Sequence, residues 1–497
     1  MRAEYQLPRA TPESVGVSSR RLLEMVRALE RAGSELHGVM LARRGRVILE
    51  GWWYPQTRDT IHICHSFGKS YVATAVGAAC TDGLMSVEDR VMDFFPEEIR
   101  RLGVDTRGNL GRLKVKHVLM MANGMSVHAM AGERLVENYL TTPVDLVPGE
   151  KFMYNTAGSC MLGEIVRRVT GRSVLDYLRE RVLDPMGFDM EHFRWMTFKG
   201  GLHPAPGVAS NTENNLRLGM LYLQGGQWRG QRLIDGEWMR QATSKQIDND
   251  LNGYGYQLWM YRHPGTFRFS GGHGQDCVMS RDRELVLAIN QAASEPHDMD
   301  ANFDILDRYL FGAELPDSLP EDPEGCAALA EYMAGRRLPD GPRAPAHGNA
   351  EGWEGEYACV EGGFHIHPEL CPFGDENVNR DFYTVEDEWV RTLRIERCDE
   401  GFRLTMNGDL SFTARLDGRL VPEAVQSAMP AYDRSVATAV AEKDCLIVDQ
   451  WFYQTCFKTR LWILRSGDRL SVQARKDRLH DDVPYLWREA GFTRIDR

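Results

Sequence analysis

The chain has 497 residues, of which 43% are apolar and 26% are charged, and its formal net charge is −12. A chain of this length exceeds one ordinary hydrophobic core, so we expect two or three domains of globular composition. The negative charge argues against a nucleic-acid partner, because binding to a phosphate backbone requires a concentrated basic surface.

The beginning of the chain and the cysteines bear on location and metal binding. Residues 1–8 lack the apolar stretch of a signal peptide, and no uninterrupted apolar run is long enough to cross a membrane. The ten cysteines are irregularly spaced and include no Cys-x-x-Cys pair, which favours reduced thiols and argues against zinc. The sequence therefore predicts a cytoplasmic protein with no membrane partner, no cofactor and no metal.

The first predicted elements are a helix and a β-hairpin. Ser18 or Ser19 can cap a helix over residues 20–29, in which apolar positions recur at helical spacing. Residues 36–53 read as two strands joined by an Arg-Gly turn. That pattern is typical of a hairpin.

The next segment holds the main candidate for chemistry, a serine and a lysine three residues apart. Ser66 and Lys69 lie on one side of a helix if that helix begins near the serine. Residues 71–79 are small, apolar and almost uncharged, which predicts a helix buried on all sides. A lysine within hydrogen-bond reach is one way to activate a serine hydroxyl as a nucleophile. The pattern alone is a weak signal, because four residues match by chance in many chains.

The middle of the chain reads mainly as helices and its later part as strands. Helical patterns cover residues 113–125, a long stretch from about 158 to 182, and 214–224. Strand patterns cover residues 254–259, 266–270, 276–280 and 285–290. Because strands lie at both ends and helices between them, we expect an antiparallel sheet assembled from distant parts of the chain.

A connector and a second domain are predicted after the α+β domain, which takes up residues 1–315. Six prolines punctuate residues 316–350, which also contain one short helical pattern over 325–334. In residues 351–497, short alternating runs separated by Gly, Asn and Asp predict a small antiparallel β-sandwich or barrel. The aromatic run Trp451–Tyr453 is expected to belong to its core rather than to a ligand platform.

Tyr154 is the first residue outside the serine segment that can complete a site around Ser66. It lies behind a Pro-Gly turn in the run Phe-Met-Tyr-Asn-Thr. A tyrosine near the charge of a lysine can act as a general base or proton shuttle. The alternative is an ordinary half-buried tyrosine at the beginning of a helix, which is the better interpretation of this residue taken alone.

The second candidate is the glycine-rich run Ser270–Gln275, which lies between two predicted strands. Its three glycines let the backbone approach a ligand closely, and a following N–H can form half of an oxyanion hole with the Ser66 N–H. The alternative is a tight hairpin turn. We interpret the run as a strand edge rather than a hairpin tip, and His273 as either a site residue or a satisfied polar residue.

Other catalytic arrangements fit the sequence less well. His62 and His65 precede the serine, but nothing singles out a carboxylate that would orient either of them in a Ser-His-Asp triad. No Gly-x-Ser-x-Gly elbow surrounds Ser66, and no His-Glu-x-x-His motif occurs. Residues 67–70 are similar to the end of a phosphate-binding loop, but the upstream glycine is absent. The lysine mechanism is therefore favoured.

The order of these motifs resembles that of the serine β-lactamase-related hydrolases. Ser-x-x-Lys is followed by a Pro-Gly-x-x-Phe-x-Tyr segment and then by the glycine-rich run near residue 270. Further similar stretches are Val115–Met125, Asp184–Gly187 and Leu221–Gly226. The resemblance covers about residues 8–313 and is greatest to the class C-like esterases, D-aminopeptidases and amide hydrolases.

The resemblance implies a fold and a set of residue roles. The implied fold is an antiparallel sheet flanked by helices, with a helical subdomain. Ser66 would be the acylated nucleophile, and Lys69 would help to deprotonate it. Tyr154 would be the second base and would protonate the leaving group. The N–H groups of Ser66 and Gln275 would form the oxyanion hole.

Two departures from the family pattern bear on the substrate-binding residues. The asparagine of the family's Tyr-x-Asn is replaced by Thr156, with Asn155 one place early. The third motif, Lys-Thr-Gly or His-x-Gly, aligns with Gly272, His273 and Gly274. Glycine thus stands where a cation helps to bind the carboxylate of β-lactams and peptides, which favours an esterase or amidase whose substrate lacks that carboxylate.

The sequence as a whole predicts a serine hydrolase that cleaves a small ester or amide through an acyl-enzyme. One alternative is a peptidase or amidase specific for D-amino acids. Another is a degenerate binding protein, against which the intact Ser66, Lys69 and Tyr154 argue. The second domain can shape substrate access, mediate homo-oligomerisation or merely pack.

Overall fold

The structure consists of an α+β domain and a C-terminal β-barrel. A computed structural model describes residues 6–127, 134–197, 201–293, 297–342, 351–364, 389–426, 433–478 and 487–496. The features described next are those that position Ser66.

A six-stranded antiparallel sheet forms the centre of the α+β domain. In spatial order its strands are β2 (Arg46–Trp52), β1 (Glu35–Arg43), β11 (Leu285–Ala292), β10 (Gln275–Ser280), β9 (Thr266–Gly271) and β8 (Trp259–Met260). The hairpin β1–β2 comes from the beginning of the chain, and β1 pairs with β11 near the end of the domain. This confirms the prediction of a sheet assembled from distant parts of the chain.

Shorter strands complete the α+β domain. A three-stranded sheet contains β3 (His62–Ile63), β4 (Phe193–Trp195) and β5 (Val208–Ser210), and a small hairpin contains β6 (Gln227–Trp228) and β7 (Gln231–Arg232). Strand β3 leads directly into the serine segment, so its pairing with β5 helps to fix the approach of the chain to Ser66.

Helices surround the sheet. They are α1 (Ser19–Arg31), α2 (Gly68–Thr81), α3 (Pro96–Leu102), α4 (Val115–Leu119), α5 (Leu135–Thr141), α6 (Thr156–Thr170), α7 (Val174–Leu178), α8 (Asp184–Met186), α9 (Thr212–Leu223), α10 (Gly236–Ala242), α11 (His297–Leu306) and α12 (Pro323–Ala334). Ser18 caps α1 by accepting a hydrogen bond from the N–H of Arg21.

The two faces of the sheet pack against different helices because side chains alternate along each strand. Val39 and Leu41 of β1 belong to a core with residues of α1, α11 and α12. Met40 and Ala42 belong to a core with residues of α2 and α9. The catalytic candidates therefore lie on the second face.

Helix α2 is buried on all sides, as the sequence predicts. All residues from 68 to 79 are buried, and the helix packs against α6. Small side chains allow this close packing: an added methyl group at Gly77 would lie 2.9 Å from the ring of Trp238. The helix that begins beside Ser66 is thus fixed by protein on every face.

The helix expected over residues 113–125 is observed only over Val115–Leu119, and two further predicted elements are broken. The helical stretch expected from about 158 to 182 is interrupted at Gly171, whose φ of +68 ends α6 with a left-handed residue. The strand expected over 254–259 contains only the beginning of β8, because Gln257 has a φ of +57. Both breaks depend on single left-handed residues that the hydrophobic pattern does not reveal.

The C-terminal domain is a closed β-barrel. Its strands are β12 (Gly355–Gly362), β13 (Thr392–Arg397), β14 (Gly401–Met406), β15 (Leu410–Arg415), β17 (Arg434–Ala441), β18 (Cys445–Trp451), β19 (Phe457–Ser466), β20 (Arg469–Arg478) and β21 (Trp487–Arg494), with β16 (Glu423–Ala424) beside β17. The structure therefore selects the barrel over the sandwich. Its closing pair, β15 with β17, is parallel, whereas an antiparallel domain was predicted.

The aromatic run of the barrel belongs to the core, as expected. Trp451, Phe452 and Tyr453 are 3%, 1% and 6% exposed. Phe452 packs inside the barrel, while Trp451 and Tyr453 pack with the α1 side of the α+β domain. The run therefore lies at the boundary between the two domains.

The predicted connector is partly built into the α+β domain. Helix α12 packs against α1, and Arg20 Nε donates a hydrogen bond of 2.6 Å to Asp322 Oδ2. Leu329 and Met333 join the core beneath the sheet. Residues 343–350 of the connector lie outside the described residues.

Two observations concern location. Within the part of the chain that the structure describes, no helix combines the length and apolar character needed to cross a membrane. The nine described cysteines are free thiols, and Cys371 lies outside the described residues. The location predicted from the sequence stays a prediction.

Candidate active site

Ser66 lies in a short 3₁₀ turn, His65–Phe67, that continues directly into α2. Lys69 follows in the first turn of α2, and its side chain is only 1% exposed. Lys69 Nζ donates a hydrogen bond of 2.8 Å to Ser66 Oγ. The three-residue spacing thus places the amine and the hydroxyl side by side.

Tyr154 joins this pair from the beginning of α6. Lys69 Nζ lies 4.9 Å from the centroid of the Tyr154 ring. The ring stacks on Trp259 of β8, with centroids 5.8 Å apart and planes inclined by 20°. Because α6 packs against α2 and Trp259 belongs to the sheet, the tyrosine is supported from two sides. The structure therefore brings Ser66, Lys69 and Tyr154 into one cluster.

The glycine-rich run is the turn of the hairpin β9–β10, so its interpretation as a strand edge is wrong. Gly271 pairs with Gln275 across the hairpin, and residues 272–274 form the turn between them. His273 and Gly274 have φ values of +60 and +81, which tight hairpin turns require and glycine adopts without strain. The glycines therefore belong to the hairpin turn, and this turn is the part of the hairpin near Ser66.

Gly271 packs directly against the segment Cys64–Phe67, which we call the serine loop. A methyl group on its Cα would overlap the carbonyl oxygen of Cys64 and would lie 3.1 Å from the backbone nitrogen of Phe67. Glycine is required here for close approach of two backbones rather than for an unusual φ. The end of β9 is therefore held beside Ser66.

Two predicted site residues have buried side chains that serve the fold. Gln275 Nε2 donates hydrogen bonds to His273 O at 3.1 Å and to Gln291 O at 2.6 Å. Asn155 caps α6, because its Oδ1 accepts a hydrogen bond of 2.8 Å from Gly158 N. The amide of Asn155 is thus committed to the helix cap, and we remove it from the substrate-binding set. Of Gln275, only the backbone N–H stays a candidate.

The other predicted substrate-binding residues border the cluster. Thr156 is the first residue of α6 and is half-buried. In the turn, Gly272 and His273 are half-buried and Gly274 is buried. The His273 ring meets the His65 ring edge-on, with centroids 5.5 Å apart. The imidazole of His65, the residue before the nucleophile, is therefore in contact with the imidazole of His273 in the hairpin turn.

Arg268 of β9 does not supply the cation that is missing at Gly272. Its Nη1 donates hydrogen bonds of 2.8 Å to Asp276 Oδ1 and to Ser270 Oγ. Its guanidinium lies 4.4 Å from the ring centroid of Phe303, which belongs to the α1 side of the sheet. Arg268 therefore points away from the face that carries Ser66.

The histidine and the cysteine at positions 62 and 64 are not alternatives to the lysine mechanism. His62 is buried, and its two ring nitrogens contact His37 Nδ1 at 2.8 Å and Ile63 O at 2.9 Å. Burial lowers the pKa of His62 to about 3, so it is neutral at pH 7. Burial raises the pKa of the Cys64 thiol to about 12, so it does not compete as a nucleophile.

Sequence reasoning missed the contact between the barrel and the serine loop. The N–H of Ile63 donates a hydrogen bond of 2.9 Å to Gln454 O. His65 Nε2 lies 3.4 Å from Cys456 Sγ. Nothing in the run around residue 454 signals this contact, because it joins segments almost 400 positions apart. The stacking of Trp259 on Tyr154 was missed for the same reason.

One surface group could offer ligands to a metal ion. Asp59, Asp189 and His192 have ligand atoms within 4.8 Å of one another, and no other such group occurs among the described residues. His192 Nδ1 already contacts Asp189 Oδ2 at 2.9 Å, and Asp59 is exposed. We assign no metal to this group.

Comparisons with known proteins identify the family of the α+β domain. The family model described as Beta-lactamase matches residues 26–309, more than half of the chain. The chain belongs to the beta-lactamase family. This confirms the resemblance stated from the sequence.

Individual relatives are distant. The chain is 25% identical to lovastatin esterase of Penicillium rubens over 173 residues, which are 30% of this chain and 43% of that protein. It is 28% identical to penicillin-binding protein 4 of Amycolatopsis lactamdurans over 146 residues, which are 28% of this chain and 38% of that protein. The chain thus spans less than half the length of these two relatives.

A solved structure covers both domains. The octameric penicillin-binding protein homologue from Pyrococcus abyssi is 15% identical, with a TM-score of 0.47 over 95% of this chain and 99% of that one.

Proposed function

We propose that the protein is a serine hydrolase that cleaves an ester or amide bond through an acyl-enzyme on Ser66. Ser66 Oγ attacks the carbonyl carbon while its proton passes to Lys69 or Tyr154, and the alcohol or amine leaves with a proton from Tyr154. Water then attacks the acyl carbon and gives a proton to the same base. The acid product leaves, and the serine hydroxyl is restored.

The hydrogen bond from Lys69 Nζ to Ser66 Oγ is the observation that carries this proposal. It is 2.8 Å long, the lysine is buried, and the Tyr154 ring lies 4.9 Å from the amine. Burying an ammonium group is costly unless it is well compensated. A binding protein has no need of a buried amine beside a hydroxyl, whereas a serine nucleophile needs a nearby base.

The oxyanion hole is proposed to consist of the Ser66 N–H and one N–H of the β9–β10 turn. The resemblance to the family implies the N–H of Gln275. The close packing of Gly271 against the serine loop supports the N–H of Gly272, the next residue along. Two such donors would stabilise the negative charge that develops on the carbonyl oxygen.

The proposed substrate is a small ester or amide without a carboxylate next to the scissile bond. Glycine stands at position 272, and the neighbouring Arg268 is committed to Asp276. The name of the relative from Penicillium rubens, a lovastatin esterase, supports an ester. We keep the D-amino-acid peptidase as an arm of the test rather than as a second proposal.

Labelling with a fluorophosphonate probe tests the nucleophile. We expect the wild type to be labelled and Ser66→Ala to remain unlabelled, because the probe phosphonylates only an activated serine. Lys69→Met is expected to lower the labelling rate at least about 10²-fold, the usual size of a lost general base.

Ser70→Ala is the matched control, since Ser70 is a buried serine in the same helix whose hydroxyl donates to Gln257 O. It should be labelled like the wild type. An unlabelled wild type would disprove the nucleophile and leave the degenerate binding protein as the better interpretation.

A substrate panel separates the possible activities. It contains p-nitrophenyl esters, D-aminoacyl anilides and a chromogenic cephalosporin. We expect the esters to be turned over fastest. Cephalosporin turnover comparable to that of the esters would contradict our interpretation of Gly272, and faster turnover of the anilides would favour the peptidase.

A further inference from the structure

The hairpin β18–β19 of the barrel reaches the chain just before the nucleophile. The N–H of Ile63, three residues before Ser66, donates a hydrogen bond of 2.9 Å to Gln454 O. Gln56 Nε2 donates to Tyr453 O. The tip of the hairpin, residues 451–458, therefore contacts the α+β domain through its own backbone and not only through side chains.

The same tip also holds the residue next to the nucleophile. His65 has a φ of +49, a left-handed conformation that is uncommon outside glycine and persists only where the surroundings enforce it. Its ring lies 3.4 Å from Cys456 Sγ on one side and edge-on to His273 on the other. Cys456 is 2% exposed and packs against Ala292 at the end of β11.

A row of polar contacts leads from the half-buried Lys458 of the hairpin tip to Ile63. Lys458 Nζ donates to Glu35 Oε2 at 2.9 Å, and Glu35 Oε1 lies 3.2 Å from His37 Nε2. His37 Nδ1 lies 2.8 Å from His62 Nε2, and His62 Nδ1 donates to Ile63 O at 2.9 Å. The tip thus reaches both backbone polar groups of Ile63, the N–H directly and the C=O through this row.

The directions of the hydrogen bonds along the row and the charge of Glu35 together define the role of Lys458. Because a carbonyl only accepts, His62 Nδ1 carries the proton and its Nε2 accepts from His37 Nδ1. The Nε2 of His37 faces the carboxylate of Glu35 at 3.2 Å. Burial raises the pKa of Glu35, but Lys458 and His37 outweigh it and hold that pKa at about 2, so Glu35 is ionised at pH 7. Lys458 therefore compensates the Glu35 charge at one carboxylate oxygen, while His37 contacts the other.

We propose that the hairpin tip 451–458 is a positioning element of the active site and that Lys458 acts on Ser66 through Glu35, His37 and His62. This inference rests on the proposed function. Lys458 touches no reacting atom, so it is a positioning residue rather than a catalytic one. A small displacement of a nucleophile is enough to lower its reactivity by one to two orders of magnitude.

Lys458→Met in the full chain tests the inference. We expect the rate of fluorophosphonate labelling and kcat for a p-nitrophenyl ester to fall about tenfold, with KM changed less than twofold. Arg460→Met is the matched control, because Arg460 lies on the same strand and its hydrogen bonds to Asp449 stay inside the barrel. It should keep the wild-type rate.

Rescue by Glu35→Gln separates positioning from general loss of structure. A glutamine can donate its amide N–H to His37 Nε2 and carries no charge. We therefore expect the double variant Lys458→Met/Glu35→Gln to recover to within about threefold of the wild type, a strongly non-additive result. Because removing the uncompensated carboxylate can also restore stability, the folded fraction of each variant is measured by circular dichroism, and kcat per folded protein is the quantity that has to recover.

Several outcomes would overturn the inference. They are a wild-type labelling rate in Lys458→Met, a double variant no faster than the single one, and an activity loss equal to the fraction unfolded by circular dichroism. If Lys458→Met does not fold, Cys456→Val tests the second contact of the tip, and an unchanged rate there overturns the inference. A wild type that is not labelled at all overturns the proposed function instead, and the inference with it.

Discussion

The serine loop is held from two sides that differ in kind. On one side, Lys69 and Tyr154 face Ser66 with groups that can accept and return protons. On the other side, Gly271 packs against the backbone of Cys64 and Phe67, and the barrel holds Ile63 through Gln454 O. The first side is built from the beginnings of two helices, α2 and α6, and the second from the sheet and the barrel.

Under the proposed mechanism, proton transfer and the position of Ser66 are therefore supplied by separate parts of the molecule. A change on the catalytic side should lower kcat and leave the free energy of unfolding almost unchanged. A change on the supporting side should alter stability or position first and kcat only as a consequence. The predictions below test that separation, beginning with the largest expected effect on activity.

Tyr154→Phe should lower kcat for the ester substrate by about 10²-fold, because it removes a proton-transferring hydroxyl and nothing else. The phenyl ring can keep its stacking on Trp259 and its contact with the Lys69 amine. We expect the free energy of unfolding, measured by chemical denaturation, to change by less than about 0.5 kcal/mol.

Trp259→Leu is the complementary change, because it keeps the hydroxyl and removes its aromatic support. It should lower kcat less than Tyr154→Phe and should destabilise the fold more. If the two variants show the reverse order, Tyr154 acts through packing and the catalytic side is misassigned.

The catalytic side could be predicted from the sequence because its signals are local. Ser66, Lys69 and the apolar residues 71–79 belong to one continuous segment, which begins as a turn and continues as a helix. Their relative positions therefore do not depend on distant segments. The same holds for the hairpin over residues 36–53, where the Arg-Gly turn and the flanking strands are consecutive. Tyr154 needed the family pattern, since no local feature distinguishes it from other tyrosines.

The supporting side could not be predicted because its signals are non-local. The glycine-rich run fits both a strand edge and a hairpin tip, and only the pairing of Gly271 with Gln275 decides between them. The barrel depends on the pairing of β15 with β17, which no strand pattern reveals. Asn155 looks like a binding residue until its position makes it the cap of α6.

Gly271→Ala tests the contact between β9 and the serine loop, with a smaller expected effect on activity. The added methyl group would overlap the Cys64 carbonyl, so the loop and the strand must move apart. We expect kcat to fall about tenfold, and overpacking of this kind to lower the free energy of unfolding by about 1–3 kcal/mol. Ester kinetics and chemical denaturation measure the two effects.

Gly108→Ala is the control for that substitution. An added methyl group there meets no atom within 4 Å, so both quantities should stay at wild-type values. A Gly271→Ala variant with full activity would show that the hairpin contact does not set the position of Ser66.

A change of pH should act mainly on the free energy of unfolding, through His62, the buried histidine of the supporting side. Burial holds the pKa of His62 at about 3, while the unfolded chain binds a proton near pH 6.5. Protons therefore favour the unfolded state as the pH falls below 6.5. His62 alone should lower the free energy of unfolding by about 2 kcal/mol between pH 7 and pH 5.

The variant His62→Asn isolates the contribution of His62 to the free energy of unfolding, because asparagine can still donate to Ile63 O but does not titrate. The fall in stability between pH 7 and pH 5 should be about 2 kcal/mol smaller in His62→Asn than in the wild type. Glu35 does not contribute in this window, since its stabilisation is lost only as the pH falls from about 4.5 to 2. Equal slopes in wild type and His62→Asn would mean that His62 is protonated in the folded protein, and the row from Lys458 to Ile63 would then carry a different pattern of hydrogen bonds.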